Sequence, residues 1–291
     1  MLKKYNLSFP TIPKSNYQPQ GPDTAIKADI YLFNRLRELT LKQRLEMFIS
    51  HDKGVKKLCL VGIKSRHRNL TIEEIRNKFI RAVLGEKFTP DFQPKGINEN
   101  MWIQDSISLA GELHQIFESI NIDYYVSEGV ASSIHGEPRS TRDLDLVIEI
   151  KVNQIDLLVK TLEASGYYCP AGAIEDLQKG YGNMLNITHT ETIANADIYI
   201  TDNSPYSRSQ MNRIILIDLD GIPAFWIASA EDIILQKLRG GKGSKLEKQW
   251  RDVLGIIKLQ GDNLDYGYLT EWAENLDLVA DLSEVLTQAG I

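Results

Sequence analysis

The chain has 291 residues, of which 43% are hydrophobic and 25% are charged, a composition typical of a globular protein with one large or two modest domains. Its two cysteines are too few and too far apart for a disulfide framework, and its histidines and cysteines show no zinc-binding spacing. No run of about 18 apolar residues is present to span a membrane, so we expect a cytoplasmic protein without a membrane partner.

The net charge of -6 is divided unequally along the chain. Residues 1–100 contain 19 Lys and Arg against 10 Asp and Glu, a net charge of +9. Residues 101–291 contain 14 against 29, a net charge of -15. This asymmetry indicates two units with different partners.

The first hundred residues predict a polar arm followed by a small helical domain. Four prolines among Asn, Gln and Ser residues indicate a flexible arm over residues 1–24. Apolar residues recur at helical spacing over residues 25–88, and capping-box sequences at 40–43 and 71–74 indicate where helices begin. Residues 89–102 are predicted to be a linker.

The helical domain carries a run of basic residues, which we call the basic run: Lys53, Lys56, Lys57, Lys64, Arg66, His67 and Arg68. One interpretation is that it follows a phosphate backbone and brings an RNA acceptor, such as a tRNA, to an acidic catalytic domain. The other is that the run is a solvated face or docks on the acidic domain. No recognised nucleic-acid motif accompanies the charges, so both interpretations stay open.

Residues 103–228 predict an α/β core, and residues 229–291 predict a C-terminal helical region. The predicted strands lie near residues 122–127, 143–150, 184–189, 193–200, 213–218 and 222–227. The predicted C-terminal helices are residues 229–240, 246–259, 266–275 and 278–289, with a flexible connector at 240–243. The expected fold class is α/β (α+β), with a mixed β-sheet, flanking helices and the small all-α N-terminal domain.

Two carboxylates stand one residue apart at the start of an apolar run. Residues two apart on a strand share a face, so Asp143 and Asp145 can present both carboxylates to one point. Magnesium prefers such oxygen ligands, although an isolated Asp-x-Asp is more often a strand that begins with solvated acids. A third acid, Asp197, lies in a second predicted strand, and three carboxylates from two strands could hold two metal ions.

Upstream of these acids, a predicted strand runs into residues 127–136, a turn of small residues and a short helix. Backbone N–H groups and the helix dipole at such a turn favour a phosphate. The order of strand, turn, short helix, Asp-x-Asp strand and later Asp resembles the nucleotidyltransferase superfamily. Residues 130–145 (VASSIHGEPRSTRDLD), together with segments 228–238 and 249–253, are similar to its AbiEii/AbiGii-type toxin branch.

The resemblance covers residues 103–289 and implies a nucleotidyltransferase-like fold and a magnesium-dependent transferase. The implied reaction is attack by an acceptor hydroxyl on the α-phosphorus of a nucleoside triphosphate, with release of pyrophosphate. It also implies a toxin-like protein, with RNA as a candidate acceptor and an antitoxin protein as a candidate partner.

The resemblance assigns roles to individual residues. Three aspartates would bind two magnesium ions, and the last of them would orient or deprotonate the attacking hydroxyl: Asp143, Asp145 and Asp197. Nucleotide or phosphate contacts fall to Gly129, Ser132, Arg139, Thr141 and Lys237, and Asp252 would orient the lysine. On pattern alone, Lys237 belongs instead to the solvated face of its helix, and Asp252 is a surface charge.

One residue departs from the family pattern. Glu128 stands where the family has the first glycine of its turn, and a carboxylate there would repel a triphosphate. Three interpretations remain open: Glu128 points away and the site works, Glu128 is a further metal ligand, or the site is impaired.

Four accounts of function follow. The first is the transferase, and the second is a catalytically impaired nucleotide- or RNA-binding regulatory protein of the same fold. Modification of a small molecule, as by aminoglycoside nucleotidyltransferases, is the third. In the fourth, the N-terminal domain covers the active site in cis, and truncation within residues 88–96 would release activity.

Overall fold

The structure is a computed structural model that describes residues 16–241 and 247–291. Residues 1–15 of the predicted arm lie outside the described residues. So do residues 242–246, which include the end of the predicted connector and the first residue of the predicted helix 246–259.

The described residues contain thirteen α-helices and seven strands. The helices are α1 (Ile26–Glu38), α2 (Leu41–Arg66), α3 (Ile72–Leu84), α4 (Glu99–Trp102), α5 (Ser106–Ser119), α6 (Glu128–His135), α7 (Ile155–Ala164), α8 (Ala171–Lys179), α9 (Pro205–Met211), α10 (Ala230–Gly240), α11 (Glu247–Gln260), α12 (Tyr266–Asn275) and α13 (Val279–Ala289). The strands are β1 (Asp123–Val126), β2 (Leu144–Glu149), β3 (Tyr167–Tyr168), β4 (Met184–His189), β5 (Asn195–Ile200), β6 (Ile215–Leu219) and β7 (Ile222–Ile227). Among these described helices, none is long and apolar enough to cross a membrane.

The seven strands form one mixed sheet in the order β3-β4-β5-β2-β1-β7-β6. β2 pairs with β1 in antiparallel orientation and with β5 in parallel orientation, and β1 and β7 are parallel. The predicted class of a mixed sheet with flanking helices is therefore confirmed. Six strands and the four C-terminal helices match their predicted positions within a few residues, whereas the two-residue strand β3 was not predicted.

The central strand β2 shows why this sequence forms a strand at this place. Its residues alternate along the chain between a buried and a half-buried face, and Leu144, Leu146 and Ile148 are completely buried. These apolar side chains pack into the core on one face of the sheet. Asp145 lies between Leu144 and Leu146, so its side chain points to the other face, as the alternation along a strand predicts.

The chain divides into two compact units. One, which we call the helical unit, consists of Met1–Arg44, Ser132–Glu137 and Ala230–Ile291. The other, the sheet unit, consists of Leu45–Ala131 and Pro138–Ser229 and holds the whole β-sheet. The predicted domain limits, at residues 1–24, 25–88, 89–102, 103–228 and 229–291, stay predictions.

A buried ion pair lies at the centre of the helical unit. Lys258 of α11 and Asp29 of α1 are 1% and 0% exposed, and Lys258 Nζ lies 2.8 Å from Asp29 Oδ2. The same carboxylate accepts a hydrogen bond from the hydroxyl of Tyr17 at 2.5 Å and one from the backbone N–H of Gln20 at 2.9 Å. Every charge of this pair is therefore matched by a nearby partner.

The N-terminal helices of the sheet unit have their own apolar core. The predicted capping box at α3 is confirmed, because Thr71 and Glu74 each bind the other's backbone N–H. The helix then buries Phe79, which stacks on Trp102 with ring centroids 6.1 Å apart. Ile193, in the turn between β4 and β5, belongs to the same cluster, so α3 and this turn share one core.

Three lysines of the basic run are paired with acids inside the sheet unit. Lys53 lies 2.9 Å from Asp105, Lys56 lies 3.4 Å from Asp52, and Lys64 lies 2.8 Å from Glu99. Of these three acids, only Asp105 belongs to the predicted acidic domain, and the exposed cations at 57, 66 and 68 remain candidates for an RNA contact.

Candidate active site in the sheet unit

The three predicted aspartates meet on neighbouring strands. β2 and β5 run parallel, and Asp145 lies directly opposite Asp197 in their register. Asp143 stands one residue before β2 begins, two residues from Asp145. Directly opposite residues of paired strands point to the same face of a sheet, so the register brings acids from two distant segments to one place.

A lysine that the sequence did not single out lies among these acids. Lys87 Nζ is 2.8 Å from Asp143 Oδ2 and 2.5 Å from Asp197 Oδ2. Burial lowers the pKa of Lys87, but its hydrogen bonds to the two aspartates outweigh that effect and raise the pKa above the ordinary value. Lys87 is therefore a charged ammonium that bridges two carboxylates of the candidate site.

Asp197 is buried and is held from a second side. Asn186 of β4 lies opposite Asp197 in the antiparallel pairing of β4 and β5, and its Nδ2 donates to Asp197 Oδ1 at 2.6 Å. Asn195 Nδ2 in turn donates to the side-chain oxygen Oδ1 of Asn186 at 3.3 Å, so the side chain of Asn186 also has a partner that orients it. One oxygen of Asp197 thus accepts from an amide and the other from an ammonium.

Asp145 lies in the most crowded electrostatic position. Its pKa is raised to about 7, chiefly by burial and then, in decreasing order, by the charges of Glu128, Asp197 and Asp143. Lys87 acts in the opposite direction but does not cancel the increase. Burial and the charges of the same aspartates also raise the pKa of Tyr199 on β5. The site therefore has an excess of negative charge at neutral pH.

The turn after β1 is tied to the aspartate strand. The backbone N–H of Ser127 donates to the carbonyl oxygen of Asp145 at 2.8 Å. Glu128 follows with φ 47°, in the left-handed region that favours glycine. Its charge acts on Asp145, as the raised pKa shows, so the carboxylate of Glu128 belongs to the electrostatics of the site.

The next residue of the turn, Gly129, has a steric reason to be glycine. A Cβ at Gly129 would lie 2.6 Å from Thr141 Oγ1, closer than Cβ atoms approach other atoms. Thr141 Oγ1 donates to the carbonyl oxygen of Asp143 at 3.3 Å, and the half-buried Arg139 donates to the carbonyl oxygen of Ser140 at 3.3 Å. Gly129, Thr141 and the loop before β2 therefore pack closely beside the acids.

The remaining predicted site residues belong to the helical unit. They are Ser132, Lys237 and Asp252, and all three are buried. Lys237 Nζ lies 3.0 Å from Asp252 Oδ2, so the two side chains form an ion pair. The interpretation of a solvated lysine is therefore wrong: the side chain of Lys237 is 4% exposed, because Asp252 one helix away supplies its counter-charge.

In the described parts of the chain, no three His, Cys, Asp or Glu side chains are arranged to hold a metal ion. Instead, one carboxylate oxygen of Asp143 and one of Asp197 each form an ion pair with the ammonium of Lys87. The carboxylates have the ligand chemistry that magnesium requires, but in this arrangement a lysine takes the position between them.

Three residues of the site were not predicted from the sequence: Lys87, Asn186 and Tyr199. For Asn186, the signal was available, since a polar residue within a predicted apolar strand indicates a specific hydrogen bond. Lys87 follows a helix that belongs to another predicted domain, and only the tertiary fold brings it to Asp197, 110 residues further along the chain.

Comparison with known proteins gave likenesses among solved structures only; no protein-family model and no curated protein matches the chain. An antigenic nucleotidyltransferase-like protein from Paracoccidioides brasiliensis aligns with 63% of this chain and 93% of its own, at 22% identity and a TM-score of 0.42. A CCA-adding enzyme in complex with ATP aligns with 67% of this chain and 50% of its own, at 10% identity and a TM-score of 0.29. The cyclic AMP-GMP synthase DncV from Vibrio cholerae, in complex with nonhydrolyzable GTP, aligns with 91% of this chain and 72% of its own, at 15% identity and a TM-score of 0.23. Because these similarities are low, the chemistry of the chain is inferred from its own residues.

Proposed function

We propose that the chain is a magnesium-dependent nucleotidyltransferase that transfers a nucleoside monophosphate from a nucleoside triphosphate to a hydroxyl acceptor. The observation that supports this proposal is the register of β2 and β5, which sets Asp145 opposite Asp197 with Asp143 two residues before Asp145. Three carboxylates on one face of a sheet, next to a turn of small residues, suit a metal ion and the phosphates of a nucleotide.

The three aspartates fit magnesium by their chemistry. Magnesium takes one or two protein carboxylates together with phosphate oxygens, and a divalent cation would relieve the repulsion among the acids that, after burial, contributes to the raised pKa of Asp145. The residues that would hold it are Asp143, Asp145 and Asp197. When bound, magnesium supplies stabilisation of the negative charge that develops on the phosphate oxygens.

The chain's own residues would position the reactants. Asp197, oriented by Asn186, can accept the proton of the acceptor hydroxyl. Because Gly129 has no side chain, a phosphate can approach its backbone closely beside Thr141. Arg139, in the same loop as Thr141, would bind the phosphate through its guanidinium group. Contacts of Ser132 and Lys237 with the triphosphate are proposed from the family resemblance alone.

The finer parts of the function are an RNA acceptor and a toxin role. Exposed cations of the basic run at 57, 66 and 68 support an RNA contact, because charged side chains on one helix and the residues that follow it can neutralise a phosphate backbone. The toxin role and the antitoxin partner follow from the resemblance to the AbiEii/AbiGii branch.

Transfer of label from each α-labelled nucleoside triphosphate to total cellular RNA tests the proposal. The full chain with magnesium should label RNA from at least one nucleotide, and Asp145→Ala should abolish labelling. Labelling that persists unchanged in Asp145→Ala would contradict the proposed role of the aspartates. If no RNA is labelled, addition of short hydroxyl-bearing acceptors separates a wrong acceptor from an inactive site.

A second candidate function is a regulatory protein that binds nucleotide or RNA without turnover. The observation that favours it is Glu128, which has φ 47° and adds negative charge at the turn where a triphosphate would lie. This candidate predicts that the wild type binds nucleotide without transferring label, and that Glu128→Gly gains transfer. Labelling by the wild type at a rate equal to Glu128→Gly excludes it.

A further inference from the structure

The position of Lys87 has a consequence for how the proposed metal site is filled. Its ammonium donates to Asp143 Oδ2 at 2.8 Å and to Asp197 Oδ2 at 2.5 Å. Both oxygens belong to carboxylates that a metal would need, and they come from two different strands. The ammonium of Lys87 therefore already occupies oxygens of two carboxylates that would hold the metal ion.

Lys87 reaches this place from a firmly packed segment. It is the last residue of the 3-10 turn Gly85–Lys87, which follows α3 directly. α3 is held through Phe79, and Phe92 beyond the turn is buried in the same apolar cluster. The backbone on both sides of Lys87 is therefore fixed, and withdrawal of the ammonium requires only that its own flexible side chain rotate.

The same cluster also fixes the other side of the contact. Ile193 has φ 62°, a conformation that is strained for a β-branched residue, and it is nevertheless buried in the cluster that holds α3. It stands two residues before the start of β5, the strand that carries Asp197. The core that positions the lysine thus also positions the turn leading to its aspartate.

Ammonium and metal cannot occupy the position together. Magnesium binds carboxylate oxygens at about 2.0–2.1 Å, and a second cation hydrogen-bonded to the same oxygens would be repelled at close range. The lysine carries a single positive charge, whereas three aspartates meet at this place, so one ammonium does not neutralise the cluster. Lys87 is therefore close enough to compete with a divalent ion but too weakly charged to satisfy the site.

We propose that Lys87 is an internal competitor for the metal ion, and that its ammonium must leave Asp143 and Asp197 before a divalent cation binds between them. The inference rests on the proposed function, since it concerns the same metal site. It makes the segment after α3 a regulatory element: whatever holds Lys87 in place keeps the site closed to metal, and whatever withdraws it opens the site.

Titration of the full chain with Mn²⁺, followed by electron paramagnetic resonance of the free ion, tests this inference without nucleotide or turnover. Lys87→Met should bind Mn²⁺ about tenfold more tightly than the wild type. Lys87→Arg, which keeps the charge, should stay closer to the wild type than Lys87→Met does. Lys179→Met removes a lysine that pairs with Glu175 elsewhere in the sheet unit, and its Mn²⁺ affinity should equal that of the wild type.

Thermal unfolding provides a second readout. In EDTA, Lys87→Met should melt below the wild type because Asp143 and Asp197 lose the ammonium that bridges them, and Mn²⁺ should raise its melting temperature more than that of the wild type. If Lys87→Met does not fold, Lys87→Gln removes the charge but keeps a hydrogen-bond donor, and it takes the same place in the comparison.

Two results overturn the inference and differ in what they leave standing. If the wild type binds Mn²⁺, Asp145→Ala does not, and Lys87→Met binds equally or more weakly, Lys87 does not compete and the metal site survives. If neither the wild type nor Lys87→Met binds Mn²⁺ beyond the level of Asp145→Ala, the proposed metal-dependent function fails together with the inference.

Discussion

The two units each place a lysine against aspartates, and the two arrangements differ in balance. In the helical unit, Lys258 meets one carboxylate, that of Asp29, and both side chains are at most 1% exposed. In the sheet unit, Lys87 bridges two carboxylates, and its side chain and that of Asp143 are 31% and 29% exposed. The first arrangement is closed and electrically matched, whereas the second is partly open and has more acids than cations.

The difference teaches how a structural pair can be told from a binding site. Burial lowers the pKa of Lys258, and Asp29 opposes that effect, so the pair is stable only as long as both members are present. In the sheet unit, burial and neighbouring acids raise the pKa of Asp145 to about 7, which means that the native arrangement tolerates the charge poorly. A carboxylate with a pKa perturbed by burial and by neighbouring acids is typical of a functional site, whereas a closed pair is typical of a structural one.

The largest effect should come from breaking the closed pair. Asp29→Ala leaves Lys258 buried without a counter-charge, and we expect the free energy of unfolding to fall by about 3–5 kcal/mol. Urea denaturation of the full chain measures the loss. The double variant Asp29→Leu with Lys258→Met removes both charges and should recover much of it. A loss below about 1 kcal/mol in Asp29→Ala would show that water reaches the lysine and that the pair is not closed.

The opposite result is expected in the sheet unit. Asp145→Asn removes one of several like charges and should raise the free energy of unfolding in EDTA by about 2 kcal/mol at pH 8. The exposed Asp123 at the start of β1 provides the matched control, since Asp123→Asn should change stability by no more than about 0.5 kcal/mol. If Asp145→Asn instead lowers the free energy of unfolding, Asp145 stabilises the fold as Asp29 does, and the proposed difference between the two units is wrong.

The sequence was sufficient for the parts of the site that depend on local spacing. Alternation along β2 and the two-residue separation of Asp143 and Asp145 predicted a shared face, and the strand around Asp197 was recognisable by its β-branched residues. Whether Asp197 lies beside Asp145 depends on the pairing of β2 with β5, which local spacing does not encode and the register of the sheet gives.

Sequence reasoning failed where a contact depends on tertiary packing. Lys87 reaches the acids because α3 and the turn at Ile193 share a core, and no periodicity in either segment encodes that contact. β3 is two residues long, too short for an alternating pattern to be seen. Lys237 was interpreted as solvated because its helix is rich in apolar positions that would face the core, while the burial of its ion pair with Asp252 depends on a second helix.

Substitution of Glu128 should have the smallest effect on stability among these tests, and it concerns a single residue of the acidic cluster in the sheet unit. Its φ of 47° costs a residue with a Cβ about 1–2 kcal/mol, part of which the greater chain entropy of glycine offsets. We therefore expect Glu128→Gly to raise the free energy of unfolding by up to about 1 kcal/mol in EDTA. Glu128→Gln keeps the strained backbone and removes only the charge, so the difference between the two variants in urea denaturation isolates the backbone contribution. Equal effects would assign the whole gain to electrostatics, and a loss of stability in both would mean that the carboxylate of Glu128 is held by favourable contacts that outweigh its repulsion of Asp145.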